Sequence, residues 1–480
     1  MTADRDPPQD TERRLWLQQC AGLLALSATG CDSAPMTAPE GAASAGQISG
    51  APTDALGSEI QTAFRYAFPL YEMARTRHGA LELAANPARG TANVVAHRRS
   101  LSDHRARAVT TPNNDTLYSS CWIDLSAGPL RIEIDAMPAG RYWSVALMDF
   151  FTNHVAVLGS RLDGRGPLRV TLVGPGGRDA RALSPGERRI AMPGRDAWLL
   201  GRWLVDGPQD LAAARAMQDG LRLVSQAQAL HVPRVPPRSS KDSENFLALV
   251  NEALARNPPP AADAALMARL AAVGLRPGAS DAWSALEEPV RQAWRAEIGP
   301  AHEALRAGLG YRGRDVQGWH LPDAGIGNFG QDFDLRAATA LGGLAALEPV
   351  EAVYFSRRLD STGAELNGRS RYRIQLPARG LPNDGFWSLS VYELMPDGRL
   401  FFTDNPIGRF ALGDRSAGLQ RRADGSIEIL LQRQAPTDET ARANWLPAPA
   451  GPMQLSLRAY LPQPELREGR ATMPTVQLLG

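Results

Sequence analysis

The stretch "PMQLSLRAYL", residues 452–461, alternates apolar and polar side chains along its whole length. The apolar set is Met453, Leu455, Leu457 and Ala459, and the polar set is Gln454, Ser456, Arg458 and Tyr460. Successive side chains of a β-strand point to opposite faces, so a period of two predicts a strand. One face of this strand belongs to a core, and the other is polar.

The same pattern recurs on both sides of a different one. "PLRIEIDAM" (129–137) in the first half, and "FWSLSVYEL" (386–394) and "GSIEILLQR" (425–433) in the second, also alternate, with Gly/Pro turns between the runs. From about residue 208 to 310 the apolar period is helical, as in "SENFLALVNEALARN". The order predicts an α+β, mainly β protein: an N-terminal antiparallel β-sandwich, a helical middle segment and a C-terminal jelly-roll-like β-sandwich.

The predicted divisions are residues 1–31 for an export signal, 32–53 for a flexible linker, 54–205 for the N-terminal β-rich domain, 206–325 for the helical region and 326–480 for the C-terminal sandwich. A length of 480 residues agrees with several domains, at roughly 100–200 residues each.

The first segment has the parts of an export signal. Arg13 and Arg14 precede a mostly apolar run, 15–28, which is too short to span a bilayer. The small residues before Cys31 resemble a lipobox, so we expect lipidation of Cys31 and an exported, periplasmic or membrane-anchored lipoprotein. Cleavage to an unanchored periplasmic protein and a chance apolar start of a cytoplasmic protein are the alternatives. The linker 32–53 is rich in Ala, Ser, Gly and Pro.

Composition excludes some partners. The net charge is only +1, and Lys241 is the sole lysine, so the sequence predicts no nucleic-acid partner. No other stretch is apolar enough to cross a membrane, which leaves a lipid anchor as the expected membrane contact. After Cys20 and Cys31, only Cys121 remains, and a lone Cys in an apolar strand is more often a core residue than a nucleophile.

Few motifs indicate chemistry. "GIGNFG" (325–330) fits a dinucleotide-binding pattern, but no alternating β/α context surrounds it, so a connecting loop is the favoured interpretation. His97 and His104 are too far apart for an i,i+4 metal pair. We therefore predict neither metal nor cofactor. Asp149 and His154 are an acid/base candidate, but a surface Asp and a satisfied His are the favoured interpretation.

The polar stretch "TTPNNDTLYS" (110–119) has two interpretations. Asn and Asp favour turns because their side chains bond nearby backbone amides. Alternatively, Asp115 and Tyr118 point into a pocket as a carboxylate and a phenol. Composition does not choose between the two.

Longer blocks resemble a known pair of families. "FRYAFPLYEM", "TTPNNDTLYSSCWIDLSAGP" and "GRYWSVALMDFFTN" resemble the bacterial family domain of unknown function 1254. "RYRIQLPARGLPNDGFWSLSVYE", "NPIGRFALGDR", "DGSIEILLQRQAP" and "ANWLPAPAGPMQLSLRAYLP" resemble its partner, domain of unknown function 1214. The resemblance implies an exported bacterial protein with a sandwich or immunoglobulin-like N-terminal domain, a helical insert and a jelly-roll-like C-terminal domain. It implies no established reaction.

The families' polar signatures map onto specific positions of this chain. They fall on Asn113, Asp115, Thr116, Tyr118, Trp387, Tyr392, Asn405, Pro406, Arg409, Asn444 and Trp445. Where relatives often have Asn-Arg-Tyr, this chain has Gly408-Arg409-Phe410, so the amide and the phenol are missing. The C-terminal positions also suit purely structural roles in turn-rich and proline-rich loops.

Two functional hypotheses follow from these residues. In the first, the protein binds a small molecule or partner through its β domains, with Asn113, Tyr392, Arg409, Asn444 and Trp445 as ligand contacts. In the second, it is a hydrolase- or lyase-like envelope enzyme that acts on a small organic or sugar-like substrate in an inter-domain cleft. Asp115 is then the acid/base and Tyr118 a positioning group. The sequence alone establishes neither a reaction nor an oligomeric state. A pocket on which Asp115, Tyr118 and Arg409 converge would favour the enzyme.

Overall fold

The computed structural model describes residues 55–81, 91–107, 109–177, 183–224, 234–308 and 312–479. The predicted export signal (1–31), with Cys31, and the predicted linker (32–53) lie outside the described residues. Within the described residues, no helix combines the length and apolar character needed to cross a membrane.

The elements are numbered in chain order. The helices are α1 (Ala55–Leu81), α2 (Ser160–Asp163), α3 (Leu211–Asp219), α4 (Ser243–Arg256), α5 (Ala264–Leu270), α6 (Ala282–Ala285), α7 (Glu288–Gly308), α8 (Phe333–Gly342), α9 (Glu439–Ala443) and α10 (Pro464–Arg467). The strands of the first half are β1 (Ala96–Arg98), β2 (Thr116–Asp124), β3 (Leu130–Ile134), β4 (Trp143–Met148), β5 (His154–Gly159), β6 (Leu168–Val173), β7 (Glu187–Ala191), β8 (Asp196–Leu204) and β9 (Leu221–Val224). Those of the second half are β10 (Arg314–Val316), β11 (Trp319–Leu321), β12 (Ala352–Arg357), β13 (Tyr372–Leu376), β14 (Asn383–Leu394), β15 (Leu400–Phe401), β16 (Ala411–Gly413), β17 (Ile427–Gln432), β18 (Trp445–Pro447), β19 (Met453–Pro462) and β20 (Thr475–Leu478).

Two sheets form the N-terminal sandwich. One has the antiparallel order β1-β2-β8-β4-β5, and the other has the order β7-β6-β3-β9. In β3, Leu130, Ile132 and Ile134 are buried, as their alternation predicts. Cys121 lies in the core between the two sheets and is 1% exposed, and burial raises the pKa of its thiol. The core interpretation of Cys121 is therefore confirmed, and a reactive thiolate is disfavoured.

A helical layer follows the first sandwich. Helices α1, α4, α7 and α8 share one apolar core that includes Phe64, Phe246 and Trp294. The ring of Phe64 packs on that of Phe246 with centroids 5.3 Å apart. Helix α1 runs through Pro69, and its buried aromatic side chains face this layer.

The second sandwich also consists of two sheets. A seven-stranded sheet has the order β10-β11-β12-β19-β14-β15, with β16 paired to β14, and a four-stranded sheet has the order β18-β17-β13-β20. The predicted alternation in 453–460 is present in β19, because Met453, Leu455, Leu457 and Ala459 are in the core between these sheets. Two edge pairs, β6 with β7 and β17 with β18, are parallel. The predicted fold class, mainly β with a helical middle segment, is confirmed.

The proposed domain boundaries stay predictions, and the packing crosses them in three places. Helix α1 precedes the first sandwich in sequence but packs with the helical layer. Strands β10 and β11 fall in the predicted helical region but pair into the seven-stranded sheet. Helix α8 falls in the predicted C-terminal domain but completes the helical core. The burial of apolar surface determines which helices and strands pack together, whatever their order in the chain.

The two sandwiches meet through the outer faces of their larger sheets. The ring of Tyr460 on β19 stacks on Phe386 of β14 (4.2 Å between centroids) and packs on Tyr142, which precedes β4 (4.9 Å). Ala146, Leu204 and other apolar side chains close this contact. The interface carries the polar side chains described next.

Candidate functional site

A group of polar side chains lies between the two larger sheets, and we call it the tyrosine–arginine seam. Its members are Asn113, Asp115, Tyr118, Arg202, Tyr354, Ser388, Arg458 and Tyr460. Strand register brings several of them together: Tyr118 is opposite Arg202, and both Tyr354 and Ser388 are opposite Arg458 on neighbouring strands. Asn113 and Asp115 precede β2, and the other members lie on strands, on the face opposite to the apolar residues that form the two cores.

Asn113 is the centre of the seam's hydrogen bonds. Its Nδ2 contacts the hydroxyls of Thr116 (3.1 Å), Tyr118 (3.1 Å) and Tyr460 (3.0 Å). Its Oδ1 accepts a hydrogen bond from the backbone N–H of Asp115 (2.7 Å). The residue is 8% exposed. The stretch 110–119 is therefore both a side-chain-stabilised turn and a bridge between the sandwiches.

Asp115 is partly buried and contacts the other sandwich directly. Its Oδ2 accepts a hydrogen bond from the hydroxyl of Ser388 (2.7 Å). Burial raises the pKa of the Asp115 carboxyl, an effect that the nearby Arg458 and the Ser388 bond reduce without reversing. Asp115 and Tyr118 therefore belong to one hydrogen-bonded cluster around Asn113, and their catalytic role stays a prediction.

Two buried arginines flank this cluster. Arg458 donates to the hydroxyl of Ser390 and to the backbone carbonyl of Thr111, both at 3.0 Å, and is 4% exposed. Arg202 is 5% exposed and lies 5.6 Å over the ring of Tyr118. Its Nη2 donates to the carbonyl of Ala345 (2.7 Å), whereas its buried Nη1 has no hydrogen-bond partner.

The C-terminal candidates separate into two places. Tyr392 is buried at the seam, where its hydroxyl donates to the carbonyl of Pro112 (2.7 Å). Arg409 lies elsewhere, and its Nη1 contacts the carbonyls of 442, 443 and 445 at 2.7–3.1 Å. Asn444 donates to the carbonyls of 420 and 428, and Trp445 donates to that of 432, each at 2.8 Å. These three side chains tie loops together, and Arg409 does not join Asp115 and Tyr118. Their role as ligand contacts stays a prediction.

The other acid/base candidates, Asp149 and His154, flank the turn between β4 and β5. Both carboxylate oxygens of Asp149 accept hydrogen bonds from Asn153. His154 is buried without a side-chain hydrogen bond, and burial lowers its pKa to about 3, so it is neutral at physiological pH. The loop 325–330 contacts this histidine, because the carbonyl of Gly327 accepts from the His154 N–H (2.7 Å). In the part of the chain that the structure describes, no group of three or more His, Cys, Asp or Glu side chains is arranged to hold a metal.

A second feature lies beside the seam, and we call it the arginine cleft. It is an open cleft of about 630 Å³ between the sandwiches, with residues 138–165 on one side and residues from 350 to 467 on the other. Tyr142 lines it and also packs on Tyr460 of the seam. The charged residues that line it are Arg141, Arg161, Arg165, Arg415, Arg467 and Asp384.

Three of the five arginines have carboxylate partners behind the cleft wall. Arg141 pairs with Asp210, Arg161 with Glu351 (2.8 Å) and Arg415 with Asp206 (3.5 Å). Among the described residues, neither Arg165 nor Arg467 has a carboxylate oxygen within 4.0 Å. Counting the lining residues and these partners leaves an excess of positive charge. Arg165, whose Nε donates to the carbonyl of Met137 (2.9 Å), and Arg467 stand on opposite sandwiches.

The backbone at the cleft is constrained. Leu461 has a φ of 51°, which is uncommon for a non-glycine residue. The register of β14 against β19 shifts between Asn383 and Phe386, and Gly385 lies in that bulge. A Cβ on Gly385 would stand 2.6 Å from the carbonyl oxygen of Tyr460. Bulges and unusual φ values concentrate at functional sites, because surrounding structure must hold them in place.

Sequence reasoning missed both the cleft and Arg202. The only local signal was the high arginine content of a chain with a single lysine. The two sides of the cleft come from residues 138–165 and from residues 350–467, and although several of these residues lie in the family-like blocks, no local pattern indicated that they would meet.

Comparisons with known proteins agree with this architecture. The VPA0106 protein from Vibrio parahaemolyticus superposes with a TM-score of 0.69 at 21% identity, over 88% of this chain and 100% of that chain. A protein from Burkholderia cenocepacia, described as uncharacterised, gives a TM-score of 0.44 at 14% identity, over 88% and 93%. At 21% identity, the similarity to the VPA0106 protein shows a shared fold and nothing about activity. No curated protein matches the chain.

Two family models match, in the order that the sequence blocks predicted. "Protein of unknown function (DUF1254)" matches residues 92–225, which hold the first sandwich, and "Protein of unknown function (DUF1214)" matches residues 351–464 of the second. Together they match just over half of the chain. The chain therefore belongs to the proteins that combine an N-terminal DUF1254 domain with a C-terminal DUF1214 domain.

Proposed function

We propose that the protein binds an anionic small molecule in the arginine cleft between its two β-sandwiches. One observation carries this proposal: Arg165 and Arg467 face the cleft from different sandwiches without a carboxylate partner among the described residues. Guanidinium groups bind carboxylates and phosphates with two parallel hydrogen bonds. A ligand with two anionic groups would satisfy both and hold the sandwiches together.

Size and surroundings support a small organic ligand. Ligand pockets commonly have volumes of roughly 300–1,000 Å³, and the cleft, at about 630 Å³, lies in that range. Tyr142, Leu461 and Pro462 supply apolar surface next to the charged groups. Nucleic acid stays an unfavoured partner, because the chain's net charge is +1.

Citrate is a suitable probe, because it is compact and carries several carboxylates. Titration calorimetry is expected to give saturable binding that weakens about tenfold or more in Arg165→Ala and in Arg467→Ala, since each loses a charge-assisted contact. Arg169→Ala, an exposed arginine of the same sandwich outside the cleft, is the matched control. Equal affinities for all four proteins would refute the proposal.

A catalytic role for Asp115 has one observation in its favour. Burial raises the pKa of its carboxyl, which moves it toward the range of a general acid/base. Mass spectrometry of small acids incubated with the protein tests this role. Conversion by the wild type that disappears in Asp115→Asn would support it, and conversion that survives the change would exclude Asp115.

We also propose that the protein is exported and anchored by a lipid on Cys31. Support comes from the paired arginines, the short apolar run and the small residues before that cysteine. Labelled palmitate supplied to producing cells should appear in the wild type and be absent from Cys31→Ala. Incorporation into both proteins, or into neither, would overturn the assignment.

A further inference from the structure

The tyrosine–arginine seam contains more buried positive charge than negative charge. Arg202 and Arg458 are 5% and 4% exposed, whereas Asp115 is the one carboxylate in the seam as defined above. Glu351 lies close enough to interact electrostatically with Arg202, but its two carboxylate oxygens accept from Tyr142 (2.9 Å) and Arg161 (2.8 Å), so its charge is already balanced by that of Arg161. A buried cation without a close anion is unfavourable, because the lost hydration is not replaced. The seam therefore lacks one negative charge.

Hydrogen-bond donors are also left over in this place. Nη1 of Arg202 is buried and has no partner. The oxygens of Tyr118 and Tyr460 already accept from Asn113, and the backbone of Leu347 stabilises the oxygen of Tyr354. A hydroxyl that accepts one bond still has its proton to donate. All three tyrosines lie close enough to Arg202 to affect its pKa.

Two of the tyrosines are partly accessible to solvent, and an apolar wall lies beside these donors. Tyr118 and Tyr354 are only half-buried although they lie between two sheets, so solvent-sized space reaches them. Met148, Leu200 and Ala345 form a small apolar cluster against which Tyr118 and the half-buried Trp198 pack. An anion bound here would therefore have apolar surface next to it.

We propose that the seam is a second ligand site, distinct from the arginine cleft, and that it binds a monocarboxylic acid with an apolar body. The carboxylate would take hydrogen bonds from Nη1 of Arg202 and from the hydroxyls of Tyr118 and Tyr354. The apolar body would lie against Leu200 and Trp198. A single negative charge balances the seam, which favours a monocarboxylate over a polyanion.

Hexanoate and its neutral analogue 1-hexanol test the proposal on the full chain, by calorimetry and by the change in intrinsic tryptophan fluorescence. Hexanoate is expected to bind saturably, and 1-hexanol at least about tenfold more weakly, because it lacks the charge that Arg202 requires. Tyr354→Phe removes only a hydroxyl and is expected to weaken hexanoate binding about fivefold or more. Arg202→Lys should weaken it further, because an ammonium does not reproduce the guanidinium fork.

Tyr372→Phe is the matched control, because this buried tyrosine lies in the core of the second sandwich. Its affinity for hexanoate should equal that of the wild type. The proposal is overturned if 1-hexanol binds as tightly as hexanoate, if chloride alone displaces hexanoate at equal concentration, or if Tyr354→Phe keeps wild-type affinity. Should Arg202→Lys fail to fold, Tyr354→Phe decides the question. Loss of hexanoate binding in Arg467→Ala would instead assign the acid to the arginine cleft.

Discussion

Replacement of Asp414 by Asn is expected to stabilise the protein at neutral pH. Asp414 follows β16 next to Arg415 of the arginine cleft, and its Oδ1 accepts a hydrogen bond from the N–H of Trp387 (3.2 Å). Burial is the main cause that raises the pKa of this carboxyl from 3.8 to about 6, and the nearby Asp115 adds to it. Backbone amides and Arg415 act in the opposite direction. Asparagine keeps the acceptor oxygen and removes the charge.

The sign follows from proton linkage. Because the folded state has the higher pKa, it keeps its proton between pH 3.8 and about 6 while the unfolded chain releases it. The contribution of Asp414 to the free energy of unfolding is therefore fully present below pH 3.8 and is lost as the pH rises through that window. A difference of about two units corresponds to about 3 kcal/mol, and partial exposure reduces the expected effect to about 2 kcal/mol. Asp414→Asn recovers this amount at pH 7.5 and about half of it at pH 5.

Urea unfolding of both proteins at pH 5.0 and pH 7.5 measures the difference. Asp397→Asn is the control of opposite sign, because hydrogen bonds to Arg399 lower the pKa of Asp397, so its removal should destabilise the protein at neutral pH. The reasoning would be refuted if Asp414→Asn had a lower free energy of unfolding than the wild type. It would also be refuted if the gain in stability did not increase from pH 5.0 to pH 7.5.

Three further changes test the structure. Asn113→Ala removes the bridge between the sandwiches and leaves hydroxyls without their partner. We expect urea unfolding to show a free energy of unfolding lower by about 2–4 kcal/mol. A decrease below about 0.5 kcal/mol would contradict the hydrogen-bond assignment. Arg409→Ala leaves three carbonyls without their hydrogen-bond donor and should lower the free energy of unfolding by about 2 kcal/mol. The affinities for citrate and hexanoate should not change. A change in either affinity would restore Arg409 as a candidate ligand contact. Gly385→Ala places a Cβ 2.6 Å from the carbonyl oxygen of Tyr460. We expect the free energy of unfolding to drop by about 1–3 kcal/mol and citrate binding to weaken. Unchanged stability would show that the bulge tolerates a side chain.

Part of the site was predictable from sequence because its signal is local. Asn113 and Asp115 lie two residues apart in a polar stretch, and their mutual hydrogen bond is the kind that Asx turns make. Tyr118 lies three residues after Asp115, near the start of β2, and belongs to the same block. Arg409 was grouped with them through family resemblance, but its contacts are with a loop of its own sandwich. Residues that belong to one family signature need not lie close together in the structure.

The alternation in 453–460 determined β19 and its apolar face, because a strand's two faces follow from a period of two residues. The helical spacing of 243–256 determined α4 in the same local way. Only the tertiary structure decided what the polar faces meet. Arg202 and Tyr354 are 152 positions apart and belong to different sandwiches, as do Arg165 and Arg467. Packing of apolar surface selects which sheets face each other, so the charges brought together there depend on contacts distant in sequence, which no local pattern encodes.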